Sequence, residues 1–187
     1  MKQDGLVMVF ALLVLMSITV LGVASVSSSL LQNKMASSLQ TQTMAFDAAE
    51  AAIAGVIFES QDKILLTNPL LDDPLSDAIQ GVAIDLQNQQ LSCLDDVTWT
   101  NRQVTAAGLV AGSQQTANGA YASRPPIDSW SRTAYVREQA CMGSSNVIGG
   151  SHITCHIFII KGCGQQQGSP LIIANSLTAA VFAPASQ

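Results

Sequence analysis

From Gly5 to Asn33 the chain carries no charged residue, no proline occurs before Pro69 and no cysteine before Cys93. The first absence leaves the N-terminal stretch free to sit in an apolar medium. The second removes the residue that breaks helices most strongly. A basic cluster is also missing: Lys+Arg number 8 against Asp+Glu 13, so the electrostatic footprint of phosphate binding is absent and nucleic acid is not expected as a direct partner. No Gly-x-Ser-x-Gly, His-Glu-x-x-His or phosphate-binding loop occurs, and His152 and His156 have no nucleophile or orienting partner in the pattern. The expectation is a chain that is not an enzyme and uses no cofactor. Asp72, Asp73, Asp77, Asp95 and Asp96 lack the spaced loop of a calcium site and read as a solvated face with a helix cap.

What the N-terminus does contain is length. Residues 6–26 suffice to cross a hydrocarbon core as a helix, since about 20 residues at 1.5 Å rise span about 30 Å. A cleaved secretory signal fits poorly, because Lys2 and Asp4 cancel in the leader and the apolar run exceeds the usual 7–15 residues. Beyond it, Met35, Leu39, Phe46, Ile53 and Ile57 recur by fours and sevens, the period of an amphipathic helix over 27–62. Together the two segments predict one rod of about 55–60 residues, roughly 85 Å long. Gly22 and Ser27–Ser29 are its weak links, where the helix is expected to bend or melt.

In the soluble half, Asp73 before Pro74 is a helix-start signature and predicts a short helix at 74–80. Alternating or β-branched runs near 96–105, 131–141, 152–161 and 171–183 predict about four strands, mostly antiparallel, packed on the amphipathic helix. Residues 106–128, rich in small and turn-forming types, read as a long surface loop.

Four cysteines, Cys93, Cys141, Cys155 and Cys163, all lie downstream of the apolar segment, which fits two disulfides in an oxidising compartment. The run HITCH at 152–156 offers zinc-binding residue types, but in a strand Cys155 faces away from His152 and His156, so no metal site is expected. Extended strand also sets Cys155 and Cys163 about 26 Å apart at about 3.3 Å per residue. Bonded cysteines need Cα atoms within about 7 Å. Among the three pairings this favours Cys141 with Cys155 and Cys93 with Cys163, while a turn at Gly162 would let Cys155 meet Cys163 only by shortening the strand.

Gly5, the hydrophobic helix that starts immediately after it in DGLVMVFALLVLMSITVLGVA, and the later MAFDAAEAAI at 44–53 resemble the prepilin-type N-terminus of type IV pilins and type II secretion pseudopilins, and in particular PilX-type minor pilins. TAYVREQA at 133–140, HIFIIKGCG at 156–164 and NSLTAAVFA at 175–183 are similar to later parts of that family. The resemblance implies an α+β, pilin-like fold with a leader at 1–5, a long helix at 6–62 and a globular periplasmic domain at 63–187. It implies cleavage by a prepilin peptidase between Gly5 and Leu6, N-methylation of Leu6, storage as a single-pass protein of the inner membrane, and assembly into a pilus. The implied partners are other minor pilins, the major pilin and a tip adhesin.

One residue departs from the family. The fifth position after the cleavage point, glutamate in major and most minor pilins, is Phe10. A carboxylate among apolar helices is expensive unless paired, and the family's glutamate is thought to meet the N-terminal amine of a neighbouring subunit. A subunit with nothing above it has no such amine to meet, so Phe10 suits the filament tip. The glutamate-lacking minor pseudopilin of type II secretion shares this logic, although those subunits usually carry a larger domain. A third reading, from another class, is an uncleaved single-pass periplasmic protein that binds a ligand or metal through the His/Cys strand.

Overall fold

A computed structural model describes residues 4–61, 70–94, 97, 99–105, 108–111, 126–141 and 153–184. Its elements are α1 (Asp4–Gln61), α2 (Pro74–Gln80), β1 (Thr100–Thr105), β2 (Gly108–Ala111), β3 (Ile127–Gln139), β4 (Ile153–Gln166) and β5 (Ile172–Pro184). The chain divides into two units, Met1–Thr41 and Gln42–Gln187, with the boundary inside α1.

In the first unit α1 is helical without interruption, including Gly22 and Ser27–Ser29, where a bend or melting was expected. The hydroxyls that normally compete for the backbone are absorbed within the helix. Ser25 Oγ donates to the Leu21 carbonyl at 2.9 Å and Ser27 Oγ to the Val23 carbonyl at 3.0 Å. Among the described residues α1 is the one helix long and apolar enough to cross a membrane.

In the second unit, the last five turns of α1 pack on a five-stranded sheet of order β2-β1-β3-β4-β5, antiparallel throughout. The fold class is α+β, as the patterning predicts, with one strand more than expected. That strand is β2, which lies inside the stretch read as a loop at 106–128. Its support is tertiary: the Glu59 carboxylate of α1 accepts from the Leu109 amide at 2.9 Å, and the Leu109 side chain is buried. Residues 112–125, most of the expected loop, fall outside the described residues.

The face that α1 buries overlaps the expected stripe only in part. Ile53 is buried and Ile57 packs against the core, but Met35, Leu39 and Phe46 are exposed, and Ala45, Ala48, Ala49, Ala52 and Val56 are buried instead. Small side chains allow close approach, and β4 answers them with Gly162 and Gly164. A Cβ added at either glycine would stand 2.0 Å from a backbone oxygen of α1, that of Ala49 or Ala45. Ser129 Oγ closes the seam by donating to the Ala48 carbonyl at 2.7 Å. Further along, Ile53, Val56, Leu75, Ala78, Leu109, Phe158 and Ile160 form the core on this side of the sheet.

Helix α2 starts where the sequence places it. Asp73 caps it, its carboxylate accepting from the amides of Leu75 and Ser76, with Pro74 in the first turn. The opposite face of the sheet is covered by the segment after α2, through Ile84, Leu91 and Trp99 against Ala134 and Ile159.

Candidate functional site

Two surfaces hold the residues singled out by the sequence. The first is the N-terminal part of α1. Gly5 and Leu6 lie in its first turns. Phe10 is 70 % exposed, and every large apolar side chain from Val7 to Leu31 is exposed as well. Each such side chain gains roughly 1.5–3 kcal/mol on leaving water. The uncharged stretch of α1 from Gly5 to Asn33 is consistent with a place in lipid or against other apolar helices. Its Ser and Thr hydroxyls bond back to the helix, at Ser17, Thr19, Ser25 and Ser27, so the surface presents few free polar groups.

The second surface is the stapled sheet. Cys93 bonds Cys163, and Cys141 bonds Cys155. Cys155 and Cys163 cannot meet, because β4 runs through both as one strand and Gly162 is a strand residue facing α1 rather than a turn. Each bridge leaves β4 for a different neighbour. Cys163 holds the covering segment against Trp130 and Ile172, while Cys155 ties the end of β3, where Gln139 is its cross-strand partner.

Both cysteines near the HITCH run are thus consumed in disulfides. His152 lies outside the described residues. His156 stacks edge-on against Tyr135, ring centroids 5.6 Å apart, and both its nitrogens are buried without a hydrogen-bond partner. Burial first, and the charge of Glu138 second, hold the Tyr135 phenol above its ordinary pKa of 10.0. Among the described residues no group of three or more His, Cys, Asp or Glu is placed to hold a metal ion.

Two arginines that sequence reading passed over organise the sheet, one on each face. Arg102 is buried on the α2 side, where it donates to Asp77 Oδ2 at 3.0 Å and to the Asp72 carbonyl at 3.1 Å. Arg132 is buried on the other side. Its guanidinium reaches the carbonyls of Ser92 at 2.6 Å and Val97 at 2.9 Å, and Asn101 Oδ1 at 2.9 Å, clamping the covering segment to the strands. A buried guanidinium is stable only when its donors are used this way. The one sequence signal for either was its place in an alternating run, at a position that polarity alone assigns to solvent.

Comparison with known families bears on the helix rather than the sheet. The family model described as PilX N-terminal matches residues 5–54, which takes in Gly5, the apolar run and the alanine-rich face that begins at Ala45. No curated protein and no solved structure matches the chain. The match begins at the glycine where uncharged sequence starts, and ends at the turn where α1 is already seated on the strands. Residues 5–54, all within α1, are similar to the PilX N-terminal family, and that likeness, together with a long helix whose last turns pack on an antiparallel sheet, supports a PilX-type pilin.

Proposed function

We propose that this protein is a minor pilin that helps initiate type IV pilus assembly and sits at the pilus tip, bridging other minor pilins and a tip adhesin. The observation that carries the reading is the uncharged helical run that starts directly after Gly5, with every large apolar side chain from Val7 to Leu31 exposed, in a segment matched by the PilX N-terminal model. In this reading a prepilin peptidase cuts between Gly5 and Leu6, and the Leu6 amine is methylated. The helix holds the subunit in the inner membrane until it is drawn into the filament. The domain after it stays periplasmic, where oxidising conditions suit the two disulfides.

The tip position rests on Phe10. At the tip no subunit above supplies an N-terminal amine, so a carboxylate at this place would stay unpaired among apolar helices, whereas a phenyl ring packs there without a charged partner.

The test is the intact mass of the chain purified from cells with and without the prepilin peptidase. A mass lower by residues 1–5 and higher by one methyl group, seen only with the peptidase, is the expected result. A chain that begins at Met1 in both samples removes the reading.

A further inference from the structure

The two edges of the sheet are built differently. β2, at one edge, has only four residues. β5, at the other, has 13 residues, and its 13 pairs with β4, from Ile153↔Pro184 to Gln165↔Ile172, run without a register shift. Natural edges are blunted by shortness, bulges, internal proline or charge. β2 uses shortness. β5 uses none of these: IIANSLTAAVFAP has no charged residue, and its one proline is the last. Its side chains are largely exposed, Phe182 at 69 %, and the described residues place no strand beyond it.

We propose that the outer edge of β5 is a docking site for an extended strand of a different protein, which adds to the sheet as a sixth strand. Every second residue of an edge strand directs its N–H and C=O away from the sheet, and only an extended backbone satisfies such a row. The surroundings specify the strand further. On the α1 side, β5 borders an apolar groove of about 640 Å³ whose walls include Ile53, Ala54, Phe58 and Leu177, with Phe58 60 % exposed. A strand laid beside β5 turns alternate side chains to that side.

At the near end of the groove stands Glu50, which accepts a bond from the neutral Asn175 amide, with Asp47 one turn away on α1. No basic residue lies between Gln42 and Gln61 to offset them. Asn175 and Leu177 are two residues apart on one face of β5. The matching strand therefore carries a Lys or Arg and a large apolar residue two positions apart, in an otherwise uncharged alternating run. A second copy of β5 does not fit, because it offers no cation to Glu50 and Asp47. The inference stands on the sheet and holds whether or not the chain enters a filament.

The experiment uses the full chain in detergent micelles and synthetic 13-residue peptides matched in length to β5. One peptide alternates Val and Thr around a Lys two positions from a Phe. Its controls have a central Pro, a scrambled order, or Glu in place of Lys. Hydrogen exchange of the β5 amides and fluorescence anisotropy of the peptide are read together. The Lys peptide should slow exchange at β5 by about tenfold or more, as pairing of an open edge requires. The Pro and scrambled peptides should not bind. The Glu peptide should bind about two- to fivefold more weakly, the scale of an exposed ion pair, and Glu50→Gln combined with Asp47→Asn should abolish that difference.

Three results would each overturn the proposal. One is β5 exchange as slow as that of β4 without peptide, meaning that the chain covers its own edge. Another is protection that rises with protein concentration alone, meaning self-pairing. The last is equal binding of any control peptide.

Discussion

At the scale of single residues, the tightest constraint in the molecule is the pair of glycines opposite α1. Sequence reading treats Gly162 as a candidate turn because glycine breaks the alternation that marks a strand. The structure shows the contrary use: Gly162 is in the strand because the Ala49 carbonyl occupies the space of its side chain. Gly162→Ala must push α1 off the sheet, since the obstructing atom is backbone. The expected cost is about 1–3 kcal/mol, the range of overpacked cores. Urea unfolding of the full chain in micelles, followed by the emission of Trp99 and Trp130, measures it. Gly22→Ala, with nothing within 4 Å of the added methyl group, should not destabilise and is the control.

The buried arginines belong to this scale too. Arg102 and Arg132 sit in strands at positions that alternation marks as faces, but alternation cannot tell that a face is covered. Only the arrival of Asp77 from α2, and of the Ser92 and Val97 carbonyls from the covering segment, makes burial of a guanidinium affordable.

At the scale of elements, α2 and four of the five strands are legible from caps, turns and β-branched runs. β2 was not, because four residues with a glycine carry no usable period and their support is Glu59, 50 residues earlier in the chain. The seat of α1 was misplaced for a related reason. Large apolar residues dominate a pattern search, yet the closest approach to the sheet is made by alanines, with Ile53 and Val56 completing the contact.

The disulfides act on elements. Cys93–Cys163 closes a separation of 70 residues and Cys141–Cys155 one of 14. Loop-closure entropy scales with the logarithm of loop length, so the longer bridge contributes ~1.4 kcal/mol more than the shorter. Chemical unfolding of the double variants Cys93→Ser/Cys163→Ser and Cys141→Ser/Cys155→Ser should rank them in that order. The reverse ranking would mean that holding the end of β3 matters more than restraining the unfolded chain.

At the scale of the whole molecule, the protein joins an uncharged helical segment to a disulfide-bonded antiparallel sheet. The proposed tip position predicts the effect of restoring the family's carboxylate. An unpaired charge in an apolar helical setting costs on the order of 2.5 kcal/mol. In cells with Phe10→Glu as the sole copy, filament counts should therefore fall by about tenfold or more. Counting surface pili by electron microscopy, with the level of the processed subunit held equal, checks this. Unchanged counts would place the subunit where a neighbouring amine can meet the carboxylate, below the tip.

The division of labour between sequence and fold follows from the range of the forces involved. Local chemistry is written in order along the chain: the uncharged run after Gly5, the Asp73–Pro74 start of α2, and the strand that keeps Cys155 from Cys163. The first two are set by near neighbours and the sequence alone determines them; the third follows from backbone period once the fold keeps Gly162 in the strand. The alanine–glycine seam, the short β2, the two buried arginines and the bare edge of β5 depend on groups that meet across tens of residues. Tertiary packing decided those, because whether a polar group is satisfied, or an edge covered, is a property of what arrives from elsewhere in the chain.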